Sequence, residues 1–457
     1  MNFNNMTRAE RRAYIKKKKR RRNLFVTFLV LLCAVTVVGT VYGIKYLSKG
    51  DNKSPAAKVS SVEEPKGPTV TAEAVVGNSG DILIHQPILK SAKSGEEYDF
   101  EPIFQFVKPY VEECDYATVN AEFSIGTKEQ FDSAEMVFRV PDTVVDALQY
   151  AGFDFATTAN NHTNDGGESG FIRTMDTLKE KGMEFTGTRP QKTDPIFKVV
   201  DVNGIKIGMI NYSYGTFGKN GVTKYLNGIP CSDATNDLVN VFSVNDLDRF
   251  YSEMEQAISE MRAAGAETIT LYIHWGDEYH LTPNTYQTSI AQKMCDLGVD
   301  TIIGGHPHKV QPADLITSTD GSHKTTCIYS MGNFLSNQVV AAMVDVMGNK
   351  QGYTEDGVIY KVHYKKYSDG TVKVAKISVI PTWVYRKDLS SGLKQYRIIP
   401  LKKSELDNLG SKYNLGSSTV TKAKKSYKRT MGLLSEGIKK CNQFLAEDNN
   451  NFLNSFK

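Results

Sequence analysis

Three histidines stand at the ends of two short apolar runs, and imidazole is the commonest protein ligand for transition metals. The first run begins at Thr268 and ends in His274-Trp275-Gly276; the second begins at Thr301 and ends in Gly305-His306-Pro307-His308. Only eight histidines occur in 457 residues, so three at two neighbouring run ends are hard to attribute to chance. Oxygen donors close the runs upstream: Asp81 after Gly80, Glu122 in Asn120-Ala121-Glu122, and Asn160-Asn161-His162 after Phe153 to Ala159. Carboxylates, an amide and imidazoles without paired thiolates suit one or two divalent ions of the Mn, Fe or Zn kind. The expected ligands are Asp81, Glu122, Asn161, His274, His306 and His308, with either carboxylate able to bridge two ions. His162 sits beside the amide ligand Asn161, where it would protonate a leaving oxygen as general acid.

Each residue has a plainer explanation when taken alone. Asp81 would shape a turn, Glu122 would be a surface carboxylate, and Asn160 and Asn161 would be turn residues or a helix cap. Their recurrence at successive run ends favours a common site. His85 and His280 read as supporting or structural residues, and His323 and His363 are given no role.

The elements that must position these residues follow from periodicity. Apolar runs of this length between helical stretches read as strands buried on both faces, and ligands gather at the carboxyl edge of such sheets. Strands are expected at Val70–Val76, Tyr116–Glu122 and Phe153–Ala159, and within the runs Thr268–Gly276 and Thr301–Gln311, with His274, His306 and His308 at their carboxyl ends. Helices are expected at Phe104–Glu113, Pro141–Tyr150, Gly170–Lys181, Asp246–Ala264 and Pro283–Leu297. A hairpin is expected around Asn203-Gly204, flanked by Phe197–Val202 and Ile205–Tyr212. Residues 215–245 lack periodicity and read as an insertion flapping over the site. Meandering strands at Gly357–Lys365 and Val372–Pro381 precede a polar tail with helical character at Ser426–Glu447. The whole predicts an α/β domain over residues 69–386 and an extension over 387–457.

The charge is unevenly spread. The chain carries +4 overall, of which +9 lies within residues 1–22, so the remainder carries −5. A mildly acidic body without a basic groove argues against nucleic acid as a partner. The basic tail, residues 1–23, abuts a charge-free apolar run from Leu24 to Ile44, long enough to cross a hydrocarbon core of about 30 Å. A transmembrane helix over 24–46 is therefore expected, with the tail in the cytoplasm and the rest outside the cell. Residues 47–68, rich in Lys, Ser, Pro and Glu, read as a flexible linker. Six cysteines with no Cys-x-x-Cys pair give no disulfide framework.

The ordered set Gly80-Asp81, Asn120-x-Glu122, Asn160-Asn161-His162, His274-Trp275-Gly276, Gly305-His306-Pro307-His308-x-x-Gln311 and Tyr329-Ser-x-Gly-Asn333-Phe334 resembles the CapA family of capsule-synthesis proteins over about residues 72–340. The resemblance implies a relative of the calcineurin-like metallophosphoesterases, a β-sandwich flanked by helices, concerned with making or exporting poly-γ-glutamate at the bacterial surface. It matches Asp81, Asn161, His274, His306 and His308 to ligand positions and His162 to the catalytic histidine. Two departures fall around the first metal: Leu83 stands where an Asp-x-His motif would place its histidine, and Asn-x-Glu replaces Gly-Asp. On this reading Asn160, Trp275, Glu278, Lys309, Gln311 and Asn333 line the substrate side. The expected partners are the membrane, an anionic capsule or envelope polymer, and other capsule-synthesis membrane subunits. Two functions follow: a metal-dependent hydrolase, or an assembly or export subunit that keeps the metal as a scaffold.

Overall fold

The computed structural model describes residues 67–131, 137–347 and 352–455. The cytoplasmic tail, the transmembrane helix and nearly all of the linker expected from the sequence lie outside these residues. Among the described residues no helix is long and apolar enough to cross a membrane.

In chain order the principal elements are β1 (Val70–Ile82), α1 (Gln86–Ala92), β2 (Tyr116–Ala121), α2 (Thr143–Ala151), β3 (Phe155–Thr157), α3 (Gly167–Glu180) and β4 (Glu184–Thr186). Next come β5 (Phe197–Val202), β6 (Ile205–Tyr214), β7 (Val241–Phe242), α4 (Leu247–Ala263), β8 (Thr268–His274), α5 (Thr285–Asp296) and β9 (Thr301–Gly305). The chain continues through β10 (Ala313–Thr317), β11 (Lys324–Ile328), β12 (Asn333–Leu335), α6 (Val340–Met347), β13 (Asp356–Tyr367), β14 (Val372–Asp388), β15 (Lys394–Pro400) and α7 (Ser417–Asn454).

Two sheets result. Sheet one has the order β15-β14-β13-β1-β2-β3-β4, with β12 also paired to β1; sheet two has the order β7-β6-β8-β9-β11-β10, with β5 on β6. Strands β1 to β4 run parallel, as do β6, β8, β9 and β11, so the carboxyl ends of each group share an edge. One apolar core joins Ala74, Val76, Val358 and Tyr360 of sheet one to Ile207, Met209, Tyr272 and Ile303 of sheet two. Helices α1, α2 and α3 cover the outer face of sheet one, and α4 and α5 that of sheet two. The layers are thus helix, sheet, sheet, helix. Because both faces of the central strands are covered, Thr268–His274 is buried at every position, as its apolar run implies.

Several expectations need correction. Phe104–Glu113 is not one helix but part of two short turns, Glu101–Phe104 and Lys108–Val111. Pro109 has no N–H to donate to the carbonyl four residues earlier, which breaks the run there. The boundary drawn after residue 386 falls inside β14, which pairs with β15 beyond it. The expected helix at Ser426–Glu447 extends to 38 residues as α7. It lies on both sheets: Asn442 exchanges hydrogen bonds with the backbone of Ile377 in sheet one (2.7 and 2.8 Å), and Cys441 donates to the carbonyl of Asp314 in sheet two.

Candidate metal centre

The donors converge on one buried cluster. Asp81 is the twelfth residue of β1, and Glu122 follows β2 directly. Asn161 and His162 occupy the loop between β3 and α3; His274 ends β8, and His306 follows β9. Register places Asp81 beside Asn120 and His274 beside Gly305. Three sets of ligand atoms lie within 4.8 Å of one another: Glu122 with His274 and His306; Asp81 with Glu122 and His308; and Glu278 with His306 and His308. Glu122, His306 and His308 each belong to two sets, so the cluster is continuous.

Amides organise it. Asn120 Nδ2 reaches Asp81 Oδ1 (2.8 Å), Glu122 Oε2 (3.3 Å) and His274 Nδ1 (3.4 Å), linking both sheets through one side chain. Asn161 Oδ1 lies 2.7 Å from His274 Nε2, and Asn161 Nδ2 donates to Asn227 Oδ1 at 3.0 Å. That second bond turns the amide so that its oxygen, not its nitrogen, faces the imidazole. His308 Nδ1 lies 3.1 Å from Asn333 Oδ1 and 3.5 Å from Asp81 Oδ2, leaving Nε2 as its other ring donor.

Close approach of the two sheets depends on glycine. A Cβ on Gly305 would stand 2.8 Å from Asp81 Oδ1, so only glycine lets β9 come this near β1. Beyond it the backbone turns sharply: φ is 97° at His306 and 54° at His308. Four of the six described non-glycine residues with positive φ border the cluster, namely Asn227, Tyr279, His306 and His308. Such conformations cost about 1–3 kcal/mol each and persist where surrounding structure enforces them. Here the His306 N–H donates to Asp81 Oδ2 (3.2 Å) and the Tyr279 N–H to the Pro307 carbonyl (2.8 Å).

The electrostatics differ from donor to donor. Burial and the neighbouring His274 and His308 hold His306 well below the ordinary imidazole range, so it is neutral. Burial also opposes charge on His308, but the hydrogen bond to Asp81 and the charge of Glu122 outweigh it and push the group up to about 9. Burial raises Asp81, yet the His308 hydrogen bond and the charge of His274 prevail and leave it below its usual value. His306 Nδ1 and Glu122 Oε1 are buried with no hydrogen-bond partner. Unmet buried lone pairs are costly, and a divalent cation would satisfy both. The donor set therefore fits a metal ion.

The remaining expected residues divide. His162 is buried; its Nδ1 lies 2.7 Å from Asp165 Oδ2, its ring edge meets Phe138, and Asn227 Nδ2 approaches Nδ1 at 3.5 Å. Glu278 and Lys309 are only partly buried, with Lys309 stacked over Tyr353. The other four are buried and hydrogen-bonded within the protein. Asn160 spends its amide on Asn120, Ala121 and the N–H of His162, which shapes the loop. Trp275 lies in the core of sheet two and donates to the Tyr329 carbonyl. Gln311 is fully buried and ties Gln287 to the carbonyls of His280 and Thr282. Asn333 holds His308 and donates to Gln338 and Thr354.

Sequence reasoning gave no role to Asn120, Asp165 or Asn227. Asn120 lies within the quoted Asn120-x-Glu122 motif and Asp165 three residues after His162, and their polar character near the ligands was a usable signal. Asn227 comes from the 215–245 insertion, where Thr216–Phe217, Lys224–Leu226 and Ile229–Pro230 form a small sheet. Nothing in its local sequence pointed to the cluster.

A mixed α/β fold with buried carboxylates, amides and imidazoles at the carboxyl edges of two facing sheets fits a metallophosphoesterase-like fold. Residues 75–338 match the model of the bacterial capsule synthesis protein family PGA_cap, and the chain belongs to that family. It is 24% identical over 394 residues to a "Capsule biosynthesis protein CapA" of Bacillus anthracis, covering 84% of this chain and 83% of the relative. It is 25% identical over 324 residues to a "PGA biosynthesis protein CapA" of Bacillus subtilis (strain 168), covering 69% of this chain and 75% of the relative. Its role is that of a capsule biosynthesis protein.

Proposed function

We propose that the chain is anchored in the cell membrane by residues 24–46 and acts outside the cell in assembling poly-γ-glutamate or a related envelope polymer, as a metal-dependent hydrolase or transferase. The observation that carries this reading is the pair of unpartnered buried atoms, His306 Nδ1 and Glu122 Oε1, inside a ring of further donors. One or two divalent ions of the Mn, Fe or Zn kind would be held by Asp81, Glu122, Asn161, His274, His306 and His308. Such an ion supplies Lewis-acid polarisation of a phosphoryl or carbonyl centre.

The protein's own groups supply the rest. Asp165 accepts from His162 Nδ1, which fixes the ring orientation and stabilises the imidazolium, so His162 Nε2 is the atom that delivers a proton to the leaving group. Asn227 holds Asn161 and borders His162, so the inserted small sheet sets the geometry of both. Lys309 and Glu278, the more accessible residues, border the approach of an anionic chain.

A second reading is favoured by the burial of the cluster, in which every proposed ligand is at most 3% exposed. There the ion is a scaffold, and the protein is an assembly or export subunit that works with other capsule-synthesis membrane proteins. Elemental analysis of wild type and His306→Ala, with turnover assays on a phosphodiester and on polyglutamate, separates the two. Loss of metal together with loss of turnover supports hydrolysis; turnover absent from both, with polymer export intact in both, supports the scaffold.

A further inference from the structure

Among the described residues, eight large apolar side chains are conspicuously exposed; two of them, Leu389 and Leu393, share the tip of the β14–β15 hairpin, and a third, Val344, is on α6. Val340 and Ala341 of α6 line one groove with Tyr385 and Lys387 of β14 and Lys422 of α7. The stem of the hairpin is fixed to the loop before α6, since Arg386 and the Tyr396 hydroxyl both donate to Asn337 Oδ1 (3.2 and 2.6 Å). Leu389 and Leu393 are joined by a backbone hydrogen bond of 2.9 Å, so they project together.

Charge around these side chains is lopsided. Asp388 is taken by Lys394 (3.0 Å) and Arg386 (3.5 Å), and Glu355 by the indole of Trp383 (2.8 Å) and the N–H of Val340 (2.7 Å). Lys387 and Lys422 are exposed and form no ion pair among the described residues. Exposed leucines bordered by unpaired lysines match the headgroup zone of a bilayer, where apolar tips enter the acyl boundary and ammonium groups stay with the phosphates.

We propose that this face, comprising α6, the β14–β15 hairpin tip and Lys422, docks on an anionic lipid surface. The proposal rests on the anchored reading above. Residues 45–66 alone separate the charge-free run from the described domain, and a chain of that length reaches no further than roughly 75 Å at full extension. On the anchored reading the bilayer lies within that reach, and docking selects which face meets it. Because α6 begins two residues after Gln338, the partner of Asn333, this orientation sets the loop that holds His308 beside the membrane.

The full chain, reconstituted in phosphatidylcholine vesicles with or without one third phosphatidylglycerol, tests this. A fluorophore is placed through Leu393→Cys or, as control, Val222→Cys; the described native cysteines are all buried. Quenching by nitroxide-labelled lipid should be several-fold stronger at 393 than at 222, rise with phosphatidylglycerol, and fall to the control level when Lys387→Glu and Lys422→Glu are added. Equal quenching at the two positions, or no response to phosphatidylglycerol, overturns the docking while co-flotation with vesicles upholds the anchor. Failure to co-float overturns both. A label at 393 shielded from a soluble quencher but untouched by the lipid quencher means that a second copy or another protein covers the face, which also overturns it.

Discussion

Sheet one brings oxygen donors to the cluster, in Asp81, Glu122 and Asn161, whereas sheet two brings nitrogen donors, in His274, His306 and His308. The means of placement differ as well. Asp81 and Glu122 ride on or directly after regular strands and are aligned by the amide of Asn120. His306 and His308 depend on a left-handed backbone around Pro307, held by Asp81 and by the Tyr279 N–H. Two of the three donor sets cross between the sheets, Glu122 with His274 and His306 and Asp81 with Glu122 and His308, whereas Glu278 with His306 and His308 comes from the sheet-two side alone. A cation held in either crossing set would depend on the docked pair of sheets.

The comparison can be broken from either side. Removing a donor from sheet two (His306→Ala) or from sheet one (Asp81→Asn) should each weaken metal affinity by at least about 100-fold, read by competition with a chelating dye. An effect confined to one sheet would show that the cluster is not shared. Asp165→Asn should lower turnover by about 100-fold and flatten the acid-dependent limb of its pH profile, with metal content unchanged, because its carboxylate meets His162 and the Phe138 N–H and none of the expected ligands. Loss of metal in that variant would place His162 among the ligands.

A third test loosens the docking far from the cluster. A Cβ on Gly437 of α7 would fall 1.7 Å from the Ala313 carbonyl. Gly437→Ala should destabilise the fold by about 1–3 kcal/mol in a denaturant titration, with a smaller fall in metal affinity if the sheets must stay together.

The mildest test is pH. His308 is raised to about 9 in the metal-free protein, so its contribution to folding is present below its ordinary value of about 6.5 and is lost as pH rises through about 9. A divalent ion needs the neutral imidazole, so metal affinity should rise by up to about tenfold per pH unit over that same window while metal-free stability falls. Chelator competition and thermal melts between pH 6 and 9 read the two trends. Parallel trends would show that His308 takes no part in binding.

Much of this was legible in the sequence. The runs ending in His274 and in Gly305-His306 became β8 and β9, because uninterrupted apolar residues are stable as strands only when covered on both faces. The six donors fell at one edge because parallel strands carry their carboxyl ends to the same side. What the sequence did not show was the surroundings of single side chains: Trp275, Gln311, Asn160 and Asn333 lie close to ligands in the chain and are buried with hydrogen-bond partners inside the protein. Likewise Lys394–Pro400, seven residues at a sheet margin, shows no strong period because its pairing with β14 gives it its form.

Chain chemistry by itself determined which residue types could hold a cation and that they sit at strand ends, since both depend on local pattern and composition. Only the tertiary structure decided that Asn120 joins the two sheets, that Asp165 and Asn227 attend His162, and that His306 and Glu122 are left with unmet lone pairs. Those facts depend on which atoms from distant segments come within hydrogen-bond reach after two sheets pack face to face, and no local spacing encodes that distance.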